Sequence, residues 1–187
     1  MKINVTMAVL SGVLLSATVT TPVLAGATHK PAKMTCEEFL ALDDVVKPKV
    51  VYWAEGFNKK GEPTDFGLDV VETDRLVPVL VTECKKTPKH SFLKKTKEHS
   101  AETQKPAATP KTAAIPKPAN ITCEEFLALD DVLKPKVVYW AEGFNKKDKP
   151  IEYVLDVDKT DRLVPVIVIE CKETPKLSFW QKIMKHF

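Results

Sequence analysis

The sequence predicts an all-α protein: two copies of one small four-helix domain, joined by a flexible Pro/Lys/Ala linker. Three observations carry that reading. Residues 35–60 read TCEEFLALDDVVKPKVVYWAEGFNKK, and residues 122–147 repeat them with one change, Val46 to Leu133. Cysteines fall at 36 and 84 and again at 123 and 171, so both steps are 87 and the repeat is gapless. Within each copy the apolar residues recur at helical rather than strand spacing. About three-quarters of residues 35–95 are identical to their counterparts. Two copies at so long a period do not make a solenoid, which stacks three or more units.

Each copy opens on a capping box. Thr35 can accept from the Glu38 amide while the Glu38 carboxylate reaches back to the Thr35 amide. Glu37 and Glu38 also sit at the positive end of the helix dipole. Phe39, Leu40 and Leu42 give a helix of two turns that ends near Asp43-Asp44. A carboxylate pair can serve acid/base or metal chemistry, but no nucleophile or histidine recurs beside it in both copies, so a solvated helix boundary is the simpler reading.

The main helix starts at Lys47-Pro48, where a proline without an N–H costs nothing in the first turn. Val46, Val50, Trp53, Ala54 and Phe57 follow at i, i+4, i+7, i+8 and i+11, one face of a helix. Tyr52 and Gly56 lie off that face. Glycine costs a helix interior about 1 kcal/mol against alanine, which points to a close approach at Gly56. Lys59 and Lys60 place positive charge at the correct end of the dipole.

Residues 61–73 form a loop in which the copies differ most, although Leu68-Asp69-Val70 survives as Leu155-Asp156-Val157 and pins the loop to the core. Residues 74–84 are ambiguous. LVPVLVTEC is rich in β-branched residues, which favours a strand, but Pro78 argues against a central one and no partner strand is in view. A helix is the expectation, with Pro78 in its first turn and Leu80, Val81 and Cys84 on one face. In the second copy Phe179, Ile183 and Phe187, beside Trp180 and Met184, make an amphipathic final helix. In the first copy Phe92-Leu93 is followed by lysines, and the helix fades into a linker.

The expected boundaries are 1–25 for a signal peptide, 33–95 and 121–187 for the domains, and 96–120 for the linker. The linker carries Pro106, Pro110, Pro116 and Pro118 among Ala, Thr and Lys, with no pattern that buries a core. About 25 residues span roughly 28 Å as a coil or about 75 Å as polyproline, enough for the domains to touch. The effective concentration of one for the other is then on the order of millimolar.

Residues 1–25 carry Lys2, a broken apolar run and a small-residue cleavage site near Ala25 or Ala27, the pattern of export. The run is too short and polar for a membrane span, so the mature chain is expected to be exported, without stable membrane insertion. Export makes structural disulfides the reading for four cysteines, which allow three pairings. Pairing within each copy requires only that each copy folds alone. Closing loops of about 49 residues would contribute roughly 4 kcal/mol apiece, a large share for domains of about 60 residues.

Charge excludes several classes. Each domain holds about eleven basic and eleven or twelve acidic residues, interspersed, which is not the basic face that nucleic acid requires. No CxxC, Cys/His cluster, phosphate loop or nucleophile–base pair is present, so neither a metal, a cofactor nor an enzymatic activity is expected. Carboxylates titrate near pH 4. Below about pH 3 each domain would approach a net charge on the order of +11, and self-repulsion would disfavour compact and paired states. The disulfides do not titrate, so acid should loosen the domain without unravelling it.

These residues resemble a known family. TCEEFLALDD, AEGFNKKDKP at 141–150, the following LDV, and VPVIVIEC with its cysteine 48 positions after the first are similar to the periplasmic acid-stress chaperone HdeA family, nearly end to end in each copy. The resemblance implies an all-helical fold with one disulfide per domain, Cys36–Cys84 and Cys123–Cys171. It implies a neutral-pH dimer that acid converts to a partly disordered monomer, which holds unfolding periplasmic proteins on apolar surface without ATP. Carried over by position, the interface aromatic falls on Trp53 and Trp140. The client-binding segments fall on 46–53 with 67–73 and on 133–140 with 154–160. The residues expected to serve pairing or clients are Val46, Val50, Trp53, Phe57, Leu68 and Val70, with Leu133, Val137, Trp140, Phe144, Leu155 and Val157. This chain departs from the family pattern in being a tandem, in its bulky Tyr52-Trp53 pair and in its eroded first-copy final helix. Pairing can therefore run within the chain or in a homodimer. The alternative function is a constitutive binding or scaffold module that uses the tandem for avidity.

Overall fold

A computed structural model of the chain describes residues 28–59, 67–103, 114–115, 120–146 and 153–187. The signal reading, the tips of both 61–73-type loops and most of the linker lie outside these residues. The described chain is helical, with four helices per copy and two very short strand ladders. In the first copy α1 is Cys36–Leu40, α2 Lys47–Lys59, α3 Val70–Lys86 and α4 Phe92–Thr103. In the second α5 is Cys123–Leu127, α6 Lys134–Lys146, α7 Val157–Glu173 and α8 Phe179–Ile183, with a final 3-10 turn Met184–His186.

The capping boxes form in both copies. Glu38 accepts from the Thr35 amide at 2.7 Å while the Thr35 hydroxyl accepts from the Glu38 amide at 3.2 Å, and Thr122 and Glu125 repeat both contacts. Disulfides join Cys36 to Cys84 and Cys123 to Cys171, tying α1 to α3 and α5 to α7. Phe39 stacks on Phe92 and Phe126 on Phe179, each at 4.5 Å between centroids. Backbone bonds then bind the entry to the first helix against the entry to the last: Cys36 donates to His90 and Phe92 to Met34.

The ambiguous 74–84 segment is helical, but the helix starts earlier than the sequence suggests. Asp69 caps α3 by accepting from the Glu72 amide at 2.9 Å, so four residues read as loop are helical and Pro78 lies in the helix interior. A proline there removes one backbone bond, and the burial of Val70, Thr73, Leu76, Leu80 and Cys84 along one stripe offsets that loss. α4 differs too, running to Thr103 and so well into residues read as linker. Thr96 and Ser100 let it do so. Both are buried, and their hydroxyls donate to the carbonyls of Phe92 and Thr96 one turn back, so polar side chains can face inward.

Two strand pairs exchange chain between the copies. β1, Thr28–His29, runs antiparallel to β4, Leu155–Asp156, while β3, Ala114–Ile115, runs antiparallel to β2, Leu68–Asp69. The segment ahead of each copy thus clasps the loop of the other. β3 lies inside the residues expected to be linker.

Candidate functional site

The helices α2 and α6 carry the same residues, KPKVVYWAEGFNK, and they cross one another at glycine. A Cβ on Gly56 would stand 1.9 Å from the carbonyl oxygen of Trp140, and one on Gly143 would stand 1.9 Å from that of Trp53. Backbone lies on backbone there, which no side chain larger than hydrogen permits. The off-face glycine of the helical pattern is where the backbones of the two copies come together.

The crossing explains why α2 is buried all round from Val50 to Gly56. The Tyr52 hydroxyl reaches α3 of its own copy through Val70 and Asp74, while Gly56 and the Trp53 ring meet the other copy. Trp53 and Trp140 are nearly fully buried. Trp53 stacks on Phe57 at 5.0 Å and, across the copies, on Tyr153 at 6.2 Å. Trp140 stacks on Phe144 and meets Trp180 edge-on. Leu68 and Leu155 are buried in the two strand clasps, opposite Ile115 and His29. Val46, Val50, Val70, Val137 and Val157 are buried, whereas Phe57, Leu133 and Phe144 are half-buried. The carbonyls of Val70 and Val157 accept from the hydroxyls of Tyr52 and Tyr139 at 3.1 Å.

Polar groups frame this apolar contact. The Tyr52 hydroxyl also donates to Asp74 at 2.8 Å, and Lys136 of the other copy reaches the same carboxylate at 2.6 Å. Tyr139, Asp161 and Lys49 repeat the arrangement at 2.8 and 2.5 Å. Deeper in, Glu55 accepts from Ser100, while its counterpart Glu142 accepts from Tyr153 and, at 2.8 Å, from Thr160. Burial raises the pKa of both glutamates above the ordinary carboxylate range. The sign matters: a carboxyl with a raised folded pKa is disfavoured when ionised, so falling pH relieves these two sites. Asp44 and Asp131 behave oppositely. Their hydrogen bonds from Lys47 and Lys134 hold them below the usual value, so the stabilisation they give is lost as pH falls through the folded pKa. His29 is the third case. Burial lowers its pKa, its Nε2 has no hydrogen-bond partner, and the unfolded chain takes up that proton first as pH falls.

A cavity of about 300 Å³ lies beside Glu55 in the first copy, lined also by Glu72, Leu76, Ser100 and Trp140. Its counterpart beside Glu142 is about 140 Å³ and includes Tyr153 and Phe187 in its wall. Among the described residues no group of three or more His, Cys, Asp or Glu could hold a metal ion, and no helix is long and apolar enough to cross a membrane.

Sequence reasoning placed the apolar stripe but missed its surroundings. Retention between the copies gave no signal for this polar frame, since Lys49, Tyr52 and Asp74 recur as Lys136, Tyr139 and Asp161 within stretches where nearly every residue recurs.

The comparisons with known proteins agree with two copies of one domain. The HdeA/HdeB family model matches residues 7–94 and again residues 99–181. The probable acid stress chaperones HdeA of Brucella ovis and Brucella abortus are each 47% identical over 64 residues, covering 34% of this chain and 56% of theirs. The acid stress chaperone HdeA of Escherichia coli (strain K12) is 41% identical over 71 residues, covering 34% of this chain and 64% of its own. This chain therefore spans between half and two thirds of the length of these curated relatives. No solved structure matches.

Proposed function

The chain belongs to the HdeA/HdeB family, and we propose that it is an ATP-independent acid-stress chaperone, exported to the periplasm, that holds unfolding proteins there. The observation that carries this reading is the crossing of α2 and α6, which hides one continuous apolar surface in the contact between two copies of the same domain. Val50, Trp53, Val137 and Trp140 are covered while the copies are paired. Parting the copies would offer that surface to apolar segments of clients. The relatives are named acid stress chaperones, which supports acid as the condition under which this happens.

Acid is the natural trigger on charge grounds. Each domain loses its eleven or twelve carboxylate charges while keeping eleven basic residues, and the resulting like charge drives the copies apart. The disulfides persist and keep each opened domain from unravelling. We assign the pairing to the two copies of one chain, domains 33–95 and 121–187, because the tether keeps each at high effective concentration to the other.

The test measures client aggregation and chain dimensions together. Light scattering from a periplasmic client at pH 2 should be suppressed by the chain, and solution scattering should show the chain larger at pH 2 than at pH 7. A chain equally compact at both values that leaves aggregation unchanged would overturn the proposal. Gly56→Leu with Gly143→Leu, which forbids the crossing sterically, should hold clients already at pH 7.

A further inference from the structure

The two copies build the space beside their buried glutamates on one plan with two telling substitutions. Glu55, Lys59, Thr73 and Leu76 recur as Glu142, Lys146, Thr160 and Leu163, whereas Glu72 stands for Lys159 and Ser100 for Phe187. In the second copy this space holds the rings of Phe187 and Tyr153. Lys146 Nζ lies 5.7 Å from the centre of the first ring and 4.5 Å from that of the second, and the Tyr153 hydroxyl donates to Glu142. Aromatic rings, an ammonium and a carboxylate thus meet there, all supplied by the chain. In the first copy a serine hydroxymethyl stands where Phe187 carries its ring, and the cavity is about 300 Å³ against about 140 Å³. The difference is on the order of the 150 Å³ of a cavity that holds one benzene ring.

The walls of the larger cavity sort by chemistry. Leu68, Leu76 and, from the other copy, Trp140 form an apolar side, and all three are buried. The polar side sets Glu55, Asp69 and Glu72 against Lys59, while its counterpart sets Glu142 against Lys146 and Lys159. The exchange of Lys159 for Glu72 therefore reverses the sign of the charge that faces the space. Glu72 Oε1 is buried with no hydrogen-bond partner among the described residues. A carboxylate oxygen shielded from water without a donor is costly, and a cationic donor removes that cost. Glu55 is the poorer anchor, since it already accepts from Ser100 and burial favours its neutral form.

We propose that this cavity of the first copy is a binding site for a small arylalkyl ammonium. The ring of the ligand packs on Leu68, Leu76 and Trp140, beside the serine that replaces Phe187, and its ammonium donates to Glu72. The ligand then brings from outside the ring and the cation that the second copy supplies from Phe187 and Lys146. The same ring carrying a carboxylate is excluded by Asp69 and Glu72. Because Glu72 belongs to one copy and Trp140 to the other, the ligand touches both halves of the chain.

This inference goes beyond the chaperone reading, and its test uses no client. Phenethylamine is titrated into the full chain at pH 7, followed by calorimetry and by the side-chain resonances of Leu68, Leu76, Trp140 and Leu163. Binding should saturate and shift the first three while leaving Leu163, in the second copy's counterpart, unmoved. 2-Phenylethanol has the same ring without the charge and should bind about tenfold more weakly, the loss of one hydrogen bond to a charged group. This comparison is made on the unsubstituted chain and so does not depend on how any variant folds. Glu72→Gln should weaken phenethylamine by a similar factor. Glu72→Lys and Ser100→Phe install residues that the second copy already carries on the same plan, and each should abolish binding. Absence of saturable binding, as when the chain's own side chains fill the cavity, would overturn the site, as would shifts confined to Leu163. Equal affinity for the amine and the alcohol, or undiminished binding in Glu72→Gln, would overturn the role of the cation. Client protection by a chain that binds no amine would leave the chaperone reading standing.

Discussion

The final helices of the two copies occupy equivalent places and are built by different means. In the second copy Ile183 is fully buried, Phe179 stacks on Phe126, and Trp180 meets both Trp140 and Phe144. Lys146 donates to the Phe187 carbonyl at 2.8 Å, closing the end of the chain over Tyr153. In the first copy the counterparts of Ile183 and Phe187 are Thr96 and Ser100, and Leu93 stands for Trp180. There a longer helix is held by hydroxyls bonded to its own carbonyls and by the Ser100–Glu55 bond. The larger cavity lies on that side. One domain plan thus tolerates either an apolar anchor or a polar one, but burial of methyl and methylene groups gives stability that satisfied hydroxyls do not. The first copy is accordingly the weaker half.

Removing a disulfide tests that comparison most severely. Cys36→Ser with Cys84→Ser should cost the first copy about 4 kcal/mol, as should Cys123→Ser with Cys171→Ser in the second. The first copy, with less reserve, should lose protection of its backbone amides in hydrogen exchange at neutral pH, while the second retains a protected core. Equal loss in both would contradict the asymmetry.

Exchanging the anchors is the next test. Ile183→Thr removes buried apolar volume and should cost about 2 kcal/mol in denaturant unfolding. Thr96→Ile restores the apolar contact in the first copy and should be neutral or stabilising, narrowing the difference between the halves. A cost for Thr96→Ile as large as that for Ile183→Thr would mean that the first copy is packed to its polar anchor.

The buried glutamates give a smaller, pH-dependent effect. Their raised folded pKa means that the ionised forms burden the fold near pH 7 and that the burden is relieved as pH falls. Glu55→Gln and Glu142→Gln should each raise stability at pH 7 by about 1 kcal/mol and have no such benefit at pH 3. Stability curves at the two pH values check this. A variant that is less stable at pH 7 than at pH 3 relative to the parent would reverse the sign.

The smallest effect concerns the clasps. β1 carries His29 opposite Leu155, whereas β3 carries Ile115 opposite Leu68. With its pKa lowered by burial, His29 destabilises its clasp as pH falls below the ordinary histidine value, and β3 has no such response. His29→Ile should remove this difference, a few tenths of a kcal/mol at pH 5, read as slower amide exchange at Leu155.

Most of the local structure was legible before any coordinates. Helix starts were readable because Thr35-Cys36-Glu37-Glu38 and Lys47-Pro48 act through neighbouring backbone groups, and the apolar stripe through Val50, Trp53 and Phe57 is a property of helical period alone. The early start of α3 was not legible, since Asp69 looks like a loop residue until its side chain is seen on the Glu72 amide. The length of α4 escaped for a related reason: Thr96 and Ser100 read as solvated, and only the carbonyls behind them and Glu55 beside them make their burial tolerable.

By itself, then, the chain determined that there are two copies, that each is helical, where the cysteines allow a staple, and which face is apolar, because all of these depend on residues within a few turns or on exact internal repetition. Tertiary structure alone decided that Gly56 meets Trp140 backbone to backbone, that Asp74 answers Lys136, and that each copy clasps the other through β1 and β3. Those contacts link residues tens of positions apart through shape and charge in three dimensions, and no spacing along the chain encodes them.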